Sequence, residues 1–291
     1  MEKIHIFTDS ASDIPRAVCE KYGIDIVPIT ITYDGHSIRE YYDVTPEEYW
    51  KVIEQVREIP TTAQTTPTQL LETYRAAHAR GCTHVLGVLI NAKGSGGYQS
   101  ACIARDLFYE EYGRDMVIEL LDSETYTYIY GHVVVGAACM RAQGETFEAI
   151  CAVAKSRLRR CEAVLGVYTL KHLKKSGRIS GGAAFMGEAL GLRPISLVAA
   201  GGVEVIDKVR GDKNVAAGIA KLVKKRVQGA AQQTAGLMYG DVPEERIAEL
   251  ERLLREECGF AAVERWPIGA SVVTNTGPLA LAAFYYGAPR E

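Results

Sequence analysis

His84-Val85-Leu86-Gly87-Val88-Leu89-Ile90-Asn91-Ala92-Lys93-Gly94-Ser95-Gly96-Gly97-Tyr98 is the stretch on which the fold turns. An unbroken apolar run bounded by turn residues reads as a buried strand, and the helical pattern after Gly97 reads as its crossover helix. Between them lies a glycine-rich turn with one serine, which places backbone amides and a hydroxyl at the positive end of a helix, where an anion can be held. Nucleotide loops are excluded: no Gly-Lys-Ser/Thr follows, and the G-x-G-x-x-G spacing breaks at Gln99. A nucleophile elbow is excluded too, because it needs glycine where Lys93 stands. Read alone, the turn is either an anion site or a loop that allows close backbone approach.

About thirty residues earlier, five of the eight residues Thr61–Thr68 are threonine. Thr66 is the expected N-cap of a helix opening at Pro67, which leaves Thr61 and Thr62 free to point elsewhere. Two hydroxyl-bearing loops facing one small anion can grip a carboxylate or phosphate without a catalytic base. Neither loop carries the His, Lys or Cys that would activate a nucleophile.

Working outward, apolar runs alternate with helical patterns through the first half. Strands are expected at Ile4-Phe7, Ile26-Ile31, His84-Ile90 and Val117-Leu121, with helices near Pro15-Tyr22, Pro46-Arg57, Pro67-Arg80, Tyr98-Tyr112, Tyr128-Gln143 and Phe147-Arg159. This is the signature of a parallel sheet with crossover helices. After about Arg160 the pattern changes. Ala163-Tyr168 reads as a strand, Ile195-Ala199 and Val203-Val209 as a hairpin about Gly201-Gly202, and helices are expected at Val215-Val227 and Pro243-Glu257. Thr234-Tyr239, Ala261-Trp266 and Ala270-Thr274 complete the strand set. The expected fold is an N-terminal parallel-sheet α/β domain (1–160) followed by a C-terminal α+β domain (161–291) with a largely antiparallel sheet, and ligand sites favour the cleft between such halves. Thr8-Asp9-Ser10, Ser95 and Asp122-Ser123 all follow strands, where open α/β sheets place their ligands.

Bulk properties narrow the function. With 291 residues and a formal charge of -3, and a pI near 6.1, the chain has no general attraction for nucleic acid or anionic membranes. No apolar stretch approaches the roughly 20 residues of a membrane span, and Met1-Glu2-Lys3-Ile4 passes straight into a strand pattern, so a cytoplasmic protein without integral membrane association is expected. Seven scattered cysteines without a C-x-x-C pair and six dispersed histidines offer neither a disulfide framework nor a metal site. Thr8-Asp9-Ser10-Ala11-Ser12-Asp13 lacks the Asp-x-Asp spacing of phosphoryl-transfer sites and reads as a turn, with Asp13 or Ser12 as helix cap. Lys171-His172-Leu173-Lys174-Lys175-Ser176-Gly177-Arg178 is the one dense positive cluster, either a solvated helix end or a source of Arg178 as guanidinium for an anion.

Taken in order, these segments resemble the DegV family, fatty-acid-binding proteins that in many bacteria form the lipid-presenting subunit of fatty acid kinase. The resemblance covers nearly the whole chain. It rests on Phe7-Thr8-Asp9-Ser10 through Pro15, Thr62-Ala63-Gln64, Ser95-Gly96 with Tyr98-Gln99-Ser100-Ala101, Asp122-Ser123, Leu173 through Ser180, Arg193-Pro194-Ile195, Lys208-Val209-Arg210 and Thr276-Gly277-Pro278. It implies a two-domain protein that holds one long-chain fatty acid in a tunnel between its domains and supplies no catalytic or metal residues and no cofactor. By position, Thr62 and Ser95 are the implied carboxylate ligands, with Thr61, Gly96, Arg178 and Asn275 beside them. A separate fatty acid kinase is the implied partner. The chain departs from the family pattern at Ala63 and Gly97, which replace hydroxyl residues, and at Asn275, where histidine is common. Two other readings stay open: a kinase-independent lipid sensor, and an enzyme acting on a small anionic substrate through Asp9, Ser95 and Arg178.

Overall fold

The computed structural model describes residues 2–178 and 191–290; the Ile179-Ser180 end of the basic segment lies outside them. The chain begins with strand β1 (Ile4–Asp9), helix α1 (Arg16–Tyr22) and strand β2 (Ile24–Val27), then β3 (Thr30–Tyr33), β4 (His36–Arg39), α2 (Pro46–Gln55) and β5 (Thr61–Ala63). There follow α3 (Pro67–Ala79), β6 (His84–Leu89), α4 (Gly97–Tyr112), β7 (Val117–Asp122), α5 (Tyr128–Ala142) and α6 (Phe147–Leu158). The later half comprises β8 (Cys161–Val167), α7 (Lys171–Ser176), β9 (Leu192–Ala199), β10 (Gly202–Arg210), α8 (Val215–Arg226), β11 (Thr234–Tyr239), α9 (Glu244–Glu256), β12 (Ala262–Pro267), α10 (Ala270–Thr276) and β13 (Ala280–Tyr286).

Three sheets result. The first has strand order β2-β1-β6-β7 and is parallel throughout. The second, β10-β9-β8-β13-β11-β12, is antiparallel except for the β11–β12 pair. A small antiparallel sheet, β4-β3-β5, carries the threonine tract. The α/β and α+β expectations therefore hold. Helix starts follow local chemistry: Thr45 with Glu48 and Thr66 with Gln69 form capping boxes, each followed by proline in the first turn. Helix α5 is apolar on nearly every side because it is buried within one core that draws Ile6 and Leu86 from the parallel sheet and Leu165, Met238 and Ala282 from the mixed one. Two contacts tie α2 to later elements: Tyr49 and Thr274 hydroxyls lie 2.6 Å apart, and Trp50 Nε1 donates to the Ile268 carbonyl at 3.0 Å.

Several local expectations are corrected. Ala270-Thr274 is helical, not a strand, although its valines and threonine favour extended backbone. Acidic side chains override that propensity: Asp13 Oδ2 accepts the Gly269 N–H at 2.9 Å and Glu40 Oε1 accepts the Ser271 N–H at 2.6 Å, satisfying two amides at the helix start. Asp13 thus caps α10 and not α1, whose N-cap Pro15 makes no side-chain bond. The Ile26-Ile31 run divides at Pro28, so β2 joins the parallel sheet and β3 the small one. The hairpin turn is centred one residue early, on Ala200 (φ 50°) and Gly201 (φ 72°), since Ala199 pairs Gly202. Strand β13 carries no alternation because both of its faces are buried, and the sequence reading missed it. No helix among the described residues is long and apolar enough to cross a membrane.

The centre of the mixed sheet tolerates little added volume. Gly236 on β11 opposes Phe284 on β13, and a Cβ there would lie 1.7 Å from the Phe284 ring. Gly236→Ala should cost about 1–3 kcal/mol of unfolding free energy by overpacking, measured by urea denaturation; an unchanged midpoint would show that the ring relocates freely.

Candidate functional site

Residues of the small sheet, the mixed sheet and the loop after β6 line a cavity of about 370 Å³, within the usual range for small-molecule sites. Its walls are aliphatic: Ile29, Ile129, Leu165, Val198, Val203 and Met238 represent them. Polar groups converge on it from separate segments, namely Thr62 on β5, Ser95 and Gly96 before α4, Arg178 after α7 and Asn275 on α10. Of the six residues singled out from the sequence, five line this cavity. Thr61 does not. Adjacent strand residues face opposite ways, and Thr61 is exposed where Thr62 is half-buried.

Gln64 joins the two hydroxyl loops. Its Oε1 accepts the Gly96 N–H at 2.9 Å, and its Nε2 donates to Ser100 Oγ at 3.3 Å. The glycine is required for this approach: a Cβ on Gly96 would lie 2.2 Å from Gln64 Oε1. The Gly96 amide is consequently engaged within the protein and is not an open donor. Ser95 Oγ accepts a long 3.4 Å bond from the Gly97 N–H; among the described residues its hydroxyl proton has no acceptor, and the Thr62 hydroxyl has no partner. Helix α4 starts at Gly97 without a side-chain cap, so its positive end faces this rim.

Arg178 is half-buried and donates only to neutral oxygens: Nε to the Gly94 carbonyl at 2.9 Å, Nη1 to the Ser176 carbonyl at 3.1 Å and to Asn275 Oδ1 at 2.9 Å. Asn275 is itself oriented by donating Nδ2 to the Ser271 carbonyl at 2.7 Å. Among the described residues Arg178 has no carboxylate partner within ion-pair distance, and its guanidinium lines the cavity.

The other strand ends do not reach the cavity. Asp9 is a brace: its carboxylate accepts from the Ala11 and Ile90 amides and the Tyr130 hydroxyl. Burial pushes its pKa up to about 6, against the opposing pull of these three hydrogen bonds. Asp13 and Glu40 are also raised, mainly by burial, with the charge of Glu40 adding to the shift at Asp13. Asp122 Oδ1 accepts the Ala92 and Glu124 amides. A second cleft of about 450 Å³ is lined by Asp13, Glu40, Asp43, Glu47 and Glu48 against Arg16, the wrong charge balance for an anion. No group of three or more His, Cys, Asp or Glu among the described residues is placed to hold a metal ion.

A family model described as an uncharacterised protein of the DegV family matches residues 3–288. The chain belongs to the DegV family. It is 34% identical over 285 residues to a DegV domain-containing protein of Caldanaerobacter subterraneus, covering 98% of this chain and 99% of that one. Among solved structures, one described as fatty acid binding of a DegV family protein from Thermus thermophilus is 30% identical, with a TM-score of 0.86 over 98% of this chain and 100% of that one. Another, described as a stearic acid-binding protein from Eubacterium ventriosum, shares the fold at 23% identity, TM-score 0.82 and 98% coverage of each chain.

Sequence reasoning missed how this DegV chain uses Gln64 and Asn91. Gln64 stood within the threonine tract, where only its amide at an otherwise hydroxyl-rich rim hinted at a bridging role. Asp9 gives a pH test. A raised folded-state pKa means that its stabilising contribution is complete below the unfolded value of 3.8 and is lost as pH rises through about 6. From about pH 4 to pH 7 the stability difference between wild type and Asp9→Asn should move in the variant's favour by about 2 kcal/mol. Denaturation across that range checks it, and a constant difference would place the Asp9 pKa near its ordinary value.

Proposed function

We propose that this DegV-family protein binds a long-chain fatty acid in the cavity, its carboxylate held by Thr62 and Ser95 and its chain along the aliphatic walls, and presents it to a fatty acid kinase. The observation that carries this reading is the shared cavity: the hydroxyl residues Thr62 and Ser95 and the Arg178 guanidinium meet walls such as Ile129, Leu165 and Met238. Residues 1–160 supply the hydroxyl loops as one domain, and residues 161–291 form a second that covers the chain. Solved relatives described as fatty-acid-binding and stearic-acid-binding support it.

The energetics divide the labour. Burying about a dozen methylenes at ~0.8 kcal/mol each contributes roughly 10 kcal/mol before the costs of association. Hydrogen bonds to the charged head contribute about 1.5 to 3 kcal/mol each, offsetting its removal from water. The hydrocarbon supplies affinity and the hydroxyls supply orientation. An enzymatic role is less well supported, because Ser95 Oγ contacts a backbone amide and no base. Asn275 favours a second reading, a kinase-independent lipid sensor: an amide cannot carry the charge that would help stabilise a transferring phosphoryl group.

Mass spectrometry of an organic extract of the purified protein should find a long-chain fatty acid, and a lipid-free protein that takes up none on incubation would end the proposal. Thr62→Val and Ser95→Ala should each weaken binding by about tenfold to a hundredfold. Shortening the acyl chain by one methylene should cost about fourfold in both variants and wild type, since head and tail contribute separately. Acyl-phosphate formation with a fatty acid kinase and ATP, compared for wild type and Asn275→His, separates the two readings: a carrier for the kinase yields product as wild type, a sensor does not.

A further inference from the structure

Asn91 sits immediately after β6, fully shielded from solvent and just outside the cavity wall. Its carbonyl accepts the Gly94 and Ser95 amides, each at 3.0 Å, and so shapes the turn that presents Ser95. Its side chain reaches the opposite way. Oδ1 accepts the Lys93 N–H at 3.1 Å, while Nδ2 donates to the Tyr126 hydroxyl at 2.6 Å and to the Gly201 carbonyl at 2.9 Å. Gly201 is at the tip of the β9–β10 hairpin, whose arms place Val198 and Val203 against the cavity.

The tip has little else to hold it. Pairing of β9 with β8 ends at Val198, so the turn Ala200-Gly201 and the Ala199–Gly202 pair that closes it extend past β8. Three bonds fasten the projection: Asn91 Nδ2 to the Gly201 carbonyl, Lys93 Nζ to the Ala200 carbonyl at 3.0 Å, and the Gly201 N–H to the Glu124 carbonyl at 2.9 Å. Two non-glycine residues on the two sides of the contact adopt left-handed backbone, Ala200 (φ 50°), as the two-residue hairpin turn requires, and Glu124 (φ 53°). The contact also demands glycine at 201, where a Cβ would lie 2.8 Å from Asn91 Oδ1.

We infer that Asn91 is a positioning residue that couples the Ser95 turn to the tip of the β9–β10 hairpin, making the hairpin a latched cover over the bound acyl chain. This rests on the fatty-acid reading of the cavity. One residue serves both, by its backbone carbonyl at the Ser95 turn and by its side chain at the hairpin: lifting the tip removes an acceptor from Asn91 Nδ2 and loosens the residue that shapes the head-group turn. Coupling of this kind is reciprocal. Bound lipid shifts the opening equilibrium of the tip toward closed by the same factor by which a closed tip tightens lipid binding.

The test measures release and uptake of a fluorescent long-chain fatty acid by stopped flow, together with amide hydrogen exchange at residues 198–203. In Asn91→Ala and Asn91→Asp, release should accelerate by about tenfold and uptake should accelerate too, so that release changes by more than Kd does. Lipid should protect the tip amides in wild type and fail to do so in Asn91→Ala. Should the Asn91 variants not fold, Lys93→Met decides, because it removes one latch bond from an exposed side chain; tip exchange must then rise. Release rates within about twofold of wild type in folded Asn91 variants, or unchanged tip exchange in Lys93→Met, overturn the inference. If wild type binds no fatty acid, the functional reading fails instead, and tip exchange in lipid-free protein still tests the latch.

Discussion

The amide of Gln64 is the constraint on which the site depends. Thr62 and Ser95 belong to different sheets: one lies on the edge of a small antiparallel unit, the other in the turn after a parallel strand. No strand pairing connects them. Gln64 supplies the connection by accepting from Gly96 and donating to Ser100, which fixes the threonine strand against the start of α4. Because register along a strand alternates faces, the same contact that turns Thr62 inward sends Thr61 to solvent. A hydroxyl pair useful for one carboxylate is thus set by a residue that need not touch the ligand.

The second half of the site depends on buried acids. Leaving Asp13 and Glu40 without partners would be costly, yet both are used. Together they bind the amides of Gly269 and Ser271, and Glu40 also accepts from Ser10, so β1, the β4–α2 segment and α10 are tied in one network. That network holds as a helix a sequence whose β-branched residues favour a strand. Helix formation at 270–276 in turn aims Asn275 at Arg178. A buried polar cluster away from the cavity therefore decides the geometry of a group at its rim.

These dependencies explain how far the sequence could be read. Elements governed by local chemistry were legible: helices opening at Pro46 and at Pro67 with Thr66 as cap, the apolar run of β6, the parallel and mixed sheets, and five of six cavity residues. Elements governed by tertiary partners were not. Ser271-Val272-Val273-Thr274 gave no local sign of the carboxylates that cap it, Ala280–Tyr286 is apolar on both faces and shows no period, and Gln64 looks like any polar loop residue until Gly96 is beside it. The hairpin was recognised from its glycines, but its centre lies one residue earlier, where Ala200 as well as Gly201 takes the positive φ of a two-residue turn.

Arg178 and Asn275 show why a neutral amide suits this position. Three of the guanidinium bonds go to oxygens without formal charge, which orient it and leave its positive charge in place. An aspartate at 275 would satisfy the same geometry while cancelling that charge, and the cavity would lose its attraction for an anion. A protonated histidine would add a second positive charge next to the first and would require an anion to hold both. With asparagine, the guanidinium keeps its charge at a rim that also carries Lys93, the hydroxyls of Thr62 and Ser95 and the start of α4.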